Sequence, residues 1–170
     1  MGAMHMPDIQ VHPIPPVWDA ESRVLILGSF PSVRSREAQF FYAHPQNRFW
    51  RVLAAVLGRD CPQTVAEKQQ LLHSSHIALW DVIRRCELTG SSDSSIRNAE
   101  PNDLTELLRG APVGAVFCNG GTAYRLYQRY QAQQTGLPAV CLPSTSPANA
   151  AWSLERLEAA WQAVRQALEK

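Results

Sequence analysis

Four short apolar runs constrain this chain more than any other feature: RVLILG at 23–28, HIALWD at 76–81, VGAVFCN at 113–119 and PAVCLP at 138–143. Each is nearly continuous in apolar residues and bounded by Gly, Pro, Ser or Asn, the pattern of a strand covered on both faces. Helix-like segments fill the intervals, at 47–58, 64–75, 102–110, 121–134 and 153–169. The last places Leu154, Leu157, Trp161, Val164 and Leu168 at helical spacing with charges elsewhere, which describes a core-facing amphipathic helix. Strands separated by helices pair in parallel, because the chain must cross back over the sheet between them. The expected fold class is therefore α/β, a three-layer α/β/α sandwich around a central four-stranded, mostly parallel sheet.

A length of 170 residues fits one such domain, expected over 7–170, with MGAMHM at 1–6 read as a tag scar and disordered start. No apolar run approaches the roughly 20 residues that span a bilayer. The start also lacks the pattern of a signal peptide, so a cytosolic protein without membrane contact is expected. Cys61, Cys86, Cys118 and Cys141 are well separated and form no C-x-x-C pair. They read as reduced thiols, and no metal, cofactor or disulfide framework is signalled. The formal net charge of +1 counts against a uniformly basic nucleic-acid binder. Arg34, Arg36, Arg48 and Arg51 nevertheless cluster in sequence and are expected to make a local basic patch.

Doubly wound sheets bind ligands beyond the carboxyl ends of their strands, so the segment after each strand matters most. GSFPS (28–32) and the ring-rich stretch FFYAHPQNRFW (40–50) come after the first, and DVIRRCELTGSSDSSI (81–96) after the second. The third ends in NGG (119–121) and the fourth runs into PSTSPANA (143–150). Pro45 breaks any helical pattern, so 40–45 reads as a loop with a helix starting after it. Asn47 then lies near a helix N-terminus, where its amide either caps backbone N–H groups or points into the cleft. Asp81 and the GSSDSS loop are read as structural.

The segments LILGSFPS, YAHPQNRFW, ALWDV, FCNG and STSPANA, in this order over about residues 23–152, resemble the uracil-DNA glycosylase superfamily. Within it the likeness is greatest to the hypoxanthine-DNA (deoxyinosine) glycosylase group. The resemblance implies loops that hold a nucleotide flipped out of damaged double- or single-stranded DNA, and a monomeric, monofunctional enzyme that hydrolyses its N-glycosidic bond. Many members place the attacking water with Asp or Asn in the first motif, where this chain has Phe30. The resemblance transfers that role to Asn47. A second departure puts Ser144 and Ala148 where uracil enzymes carry a histidine and a wedging leucine.

The expected base pocket comprises Gly28, Ser29, Phe30, Phe41, Tyr42, His44 and Asn119. Phe41 or Tyr42 supplies the stacking face. The Asn119 amide either pairs with a base edge or helps NGG turn into a helix. His44 either acts directly or makes a local hydrogen bond. Ser144, Thr145, Ser146, Asn149 and Arg48 are expected at the DNA backbone, with Asn149 or Ser153 also available to cap the last helix. The competing readings are a uracil or thymine mismatch glycosylase, and a module that binds damaged DNA without cutting it.

Overall fold

The computed structural model describes residues 8–89 and 95–170. In chain order its first half runs β1 (Asp8–Val11), β2 (Val24–Gly28), α1 (Val33–Ala38), α2 (Phe49–Leu57), α3 (Val65–Ser74), β3 (Ile77–Asp81) and β4 (Ile83–Leu88). The second half runs β5 (Arg97–Pro101), α4 (Thr105–Gly110), β6 (Ala115–Asn119), α5 (Gly121–Tyr130), α6 (Ala132–Thr135), β7 (Ala139–Leu142) and α7 (Leu154–Leu168).

The four apolar runs form one wholly parallel sheet in the order β3-β2-β6-β7. Its central strand shows why three layers form. Val24 and Ile26 of β2 point into a core shared with α2, α3 and α7, where Phe49, Leu72 and Trp161 are buried. Leu25 and Leu27 point the other way, against Leu107 of α4 and Tyr127 of α5. A strand alternates its side chains between faces, so an unbroken apolar run requires apolar cover on both sides. The expected α/β/α sandwich is what this chain adopts.

The segment after β3 departs from expectation. Instead of a loop, β4 continues from β3 with only Val82 between them. It joins a second, antiparallel sheet in the order β1-β4-β5. The strand signal in IRRCEL is broken because Arg84 and Arg85 are both exposed, and the β4–β5 register shifts on either side of Arg85. A bulge spoils the two-residue period by which a strand is read from sequence. This sheet buries Ile83, Cys86 and Leu88 and carries the chain's N-terminal strand to the edge of the parallel sheet. Most of GSSDSS, at 90–94, and the start at 1–7 lie outside the described residues. No helix among the described residues is long and apolar enough to cross a membrane.

Candidate active site

Parallel register brings the strand ends to one edge. Gly28 pairs with Asp81, and Asn119 pairs with Leu142. The loops beyond them enclose a cleft of about 990 Å³. GSFPS, Tyr42, Asn47, Asp81, Asn119 and the 143–149 loop all line it, with Trp152 at its side. Strand order reverses between β2 and β6, which is where doubly wound sheets open a crevice.

At the β2–β3 end the wall is aromatic with one charge. The Tyr42 ring stacks on Phe49 at 4.1 Å and 22°, and Tyr42 itself takes φ 53°, in the left-handed region that non-glycine residues rarely occupy. Phe30 meets His12 edge-on at 5.8 Å and has the Arg36 guanidinium 5.7 Å from its ring centre. Below these rings His12 Nε2 lies 2.7 Å from Asp81 Oδ2, with the two side chains 2% and 4% exposed. The Ile14 N–H donates to His12 Nδ1 (3.2 Å), so that nitrogen carries no proton and Nε2–H is the donor to the carboxylate. Gly28 is required where it is. A methyl group there would strike Asp81 Oδ1 and sit 2.8 Å from the Tyr42 hydroxyl.

At the β6–β7 end the wall is neutral and relayed. Thr145, fully buried, receives Asn119 Nδ2–H on its Oγ1 (3.0 Å), and its own N–H donates to Asn119 Oδ1 (3.0 Å). The Thr145 hydroxyl then donates to Asn47 Oδ1 (2.9 Å), which also accepts from the Phe49 N–H (2.9 Å). The backbone donor fixes which amide atom of Asn47 is the oxygen, so its N–H₂ is the group turned away from these donors. Gly120, at φ 98°, lets the chain turn tightly past Ser144.

Several of the expected site residues have partners within the protein. Arg48 straps the loop that follows β7. Its guanidinium donates to the carbonyls of Ser146 (3.3 Å), Asn149 (3.1 Å) and Trp152, and its backbone N–H to Thr145 O (3.1 Å). Thr145 lines the cleft with its hydroxyl and N–H already engaged, and Phe41, 2% exposed, lines it while packing into the main core. His44 Nδ1 accepts the Gln46 N–H (3.1 Å) and is not part of the cleft lining, so local hydrogen bonding accounts for it. Ser144, Ser146 and Asn149 do line the cleft, tied to one another by Ser146 N–H to Ser144 Oγ (3.1 Å) and Asn149 Nδ2–H to Ser144 O (3.0 Å). Ser153 caps α7 by accepting the Arg156 N–H. Arg34 and Arg51 are exposed.

Sequence reasoning missed three contributors. His12 gave no signal, because only the β1–β4 pairing carries it to the sheet edge. Asp81, read as structural, is the one carboxylate among the described lining residues. Trp152, with Arg156 4.1 Å from its ring centre, adds an aromatic face beside the 143–149 loop. Two thiols are shifted away from the thiolate form. Burial, with Cys141 nearby, pushes the Cys118 thiol up to about 12, and burial also raises Cys141. Among the described residues no three His, Cys, Asp or Glu side chains converge as metal ligands.

Three comparisons place this geometry. Residues 15–167 match the family model described as the uracil DNA glycosylase superfamily. A hypoxanthine DNA glycosylase of Methanosarcina acetivorans is 35% identical over 151 residues, covering 88% of this chain and 94% of that protein. A hypoxanthine DNA glycosylase of Methanosarcina barkeri is 37% identical over 109 residues, covering 62% of this chain and 68% of that one. A solution NMR structure of a candidate uracil DNA glycosylase from Methanosarcina acetivorans superposes with a TM-score of 0.81 at 34% identity, over 96% of this chain and 100% of that one.

Proposed function

Because this chain belongs to the uracil DNA glycosylase superfamily and is a monofunctional DNA N-glycosylase, we propose that its substrate is a deaminated base, hypoxanthine in deoxyinosine. Two relatives named for hypoxanthine support this choice. So does the lining itself, which has Phe30 and Ser144 where uracil enzymes carry a water-placing acid or amide and a supporting histidine. The free thiols suit a reducing cytosol, and the reading extends to a protein acting on damaged DNA.

The observation that carries the mechanism is the fixed amide of Asn47. Its oxygen is held by the Phe49 N–H and the Thr145 hydroxyl, so its N–H₂ is the group available to a water in the cleft. In this reading the flipped base stacks on Tyr42 with Phe30 beside it, while Gly28 and Ser29 bring backbone close to it. Asn119 keeps one N–H, on the side away from Thr145, for the base. The C1′–N bond breaks with its electron pair leaving on the base. The water held by Asn47 adds to the cation-like C1′, and its proton passes to solvent. An amide is no base, so its contribution is orientation, which alone lowers barriers substantially. Ser144, Ser146 and Asn149 present hydroxyl, amide and backbone groups to the DNA strand.

The test is single-turnover base release from duplexes containing deoxyinosine, deoxyuridine or deoxyxanthosine, with the wild type and Asn47→Ala. Release dominated by hypoxanthine is expected, slowed on the order of 10²-fold or more in Asn47→Ala at unchanged DNA affinity. Dominant uracil release would transfer the chain to the mismatch enzymes. Undiminished release by Asn47→Ala would reject the water-holding role.

A further inference from the structure

The buried His12–Asp81 pair has no part in holding the water, yet it brings the one carboxylate among the described lining residues to the cleft. Two side chains 2% and 4% exposed make a 2.7 Å contact beneath the rings of Phe30 and Tyr42. Taking a carboxylate out of water is costly and is offset only by partners that hold it. A fold needing this corner merely filled would do as well with apolar residues. Here the geometry is specific. The Ile14 N–H fixes the imidazole tautomer, Nε2–H donates to Oδ2, and the Asn102 amide holds the backbone carbonyl of Asp81 (2.9 Å). Oδ1 lies at the cleft wall beside the Tyr42 hydroxyl, in the space that a side chain at Gly28 would take.

We infer that Asp81, locked by His12, selects the base by accepting the ring N–H of a deaminated base on Oδ1. This rests on the glycosylase reading and adds to it the residue that discriminates. The chemistry of deamination supplies the logic. Adenine carries a lone pair at ring N1, whereas hypoxanthine carries an N–H at that atom, and uracil carries one at N3. An atom that only accepts rewards the N–H and repels the lone pair. A nucleotide entering base-first brings the base edge, and not its sugar, to the floor of the cleft. The floor carboxylate therefore meets the base while Asn47 is left for the water. His12 is a positioning residue in this scheme, touching Asp81 and not the base.

The test compares binding to two duplexes carrying non-hydrolysable 2′-fluoro nucleosides. One contains inosine and the other nebularine, the purine that lacks both the ring N–H and the adjacent carbonyl. Binding is read without base release, so the result stands apart from the outcome of the cleavage assay. The wild type is expected to prefer inosine. Asp81→Asn, isosteric but with its amide oxygen claimed by His12 Nε2–H, then presents N–H₂ to the base and loses at least about tenfold of that preference. His12→Phe, which fills the ring-lined site without a donor, loses part of it, and His12→Gln, which restores a donor, recovers it. A wild type that does not distinguish the duplexes would overturn the inference. So would variants that weaken both duplexes equally, the mark of a structural pair or of a carboxylate acting at the sugar.

Discussion

At the β2–β3 end of the cleft a charged side chain, Asp81, is held by an imidazole from 69 residues earlier in the sequence. At the β6–β7 end a neutral amide, Asn119, is held by a buried threonine 26 residues later. The charged end depends on a second sheet to deliver His12, and so on long-range pairing. The neutral end depends on one loop clamped to α2 by Arg48. Burying a charge needs a dedicated partner with matched geometry, whereas amides and hydroxyls satisfy one another through short chains of hydrogen bonds. The two ends should therefore fail differently when disturbed.

Gly28→Ala is expected to have the largest effect. The added methyl forces Asp81 Oδ1 aside, and a buried charged group that loses its hydrogen-bond geometry costs more than the roughly 1–3 kcal/mol of an unsatisfied neutral one. Denaturant titration should show that loss together with weakened base binding. An unchanged midpoint would mean that the pair relaxes freely. Thr145→Val removes a hydroxyl serving both Asn119 and Asn47, and leaving such groups buried and unsatisfied costs about 1–3 kcal/mol. Base release should slow by about tenfold to 10²-fold, with Thr145→Ser restoring most of it. Equal loss in both variants would assign Thr145 to packing alone.

Arg48→Met separates strap from DNA contact. A phosphate ligand would lower the salt dependence of binding by about one unit of slope when removed. A strap predicts an unchanged slope with a lower melting temperature, read by salt titration and thermal unfolding. The smallest effect concerns Cys118, whose thiol is raised from 9.0 to about 12 by burial. Its raised folded value means that its contribution to stability is intact below about pH 9 and declines as pH rises towards 12. Cys118→Ala should differ from wild type by a constant amount between pH 7 and 9, with the gap narrowing at higher pH. A gap that stays constant would show the thiol titrating alike in both states.

Much of the fold was legible in the sequence, because both-face burial leaves an unmistakable run such as VLILG in β2. The cleft position was legible too, since parallel strands must end on one edge. Asn47, Asn119, Tyr42 and Phe30 were all identified, and all line the cleft. Other residues show where local patterns stop. Arg48 and Thr145 carry donors of the kind that bind DNA, and their sequence neighbours do face the cleft. Whether a donor points at solvent or at a carbonyl of the next loop depends on packing that no local pattern records. Phe41 and Tyr42 both line the cleft, and only the packing shows that Phe41 also belongs to the main core while Tyr42 stacks on Phe49.

What the sequence determined by itself was the parallel sheet, its two covering layers and the edge at which chemistry gathers, because apolar periodicity is written in neighbouring residues. Only the tertiary structure decided that His12 meets Asp81, that Thr145 links two amides, and that Arg48 straps the loop after β7. Those contacts join residues 69, 26 and roughly 100 positions apart. Their energy comes from satisfying buried polar groups, and which groups become buried together is known only once the chain has closed on itself.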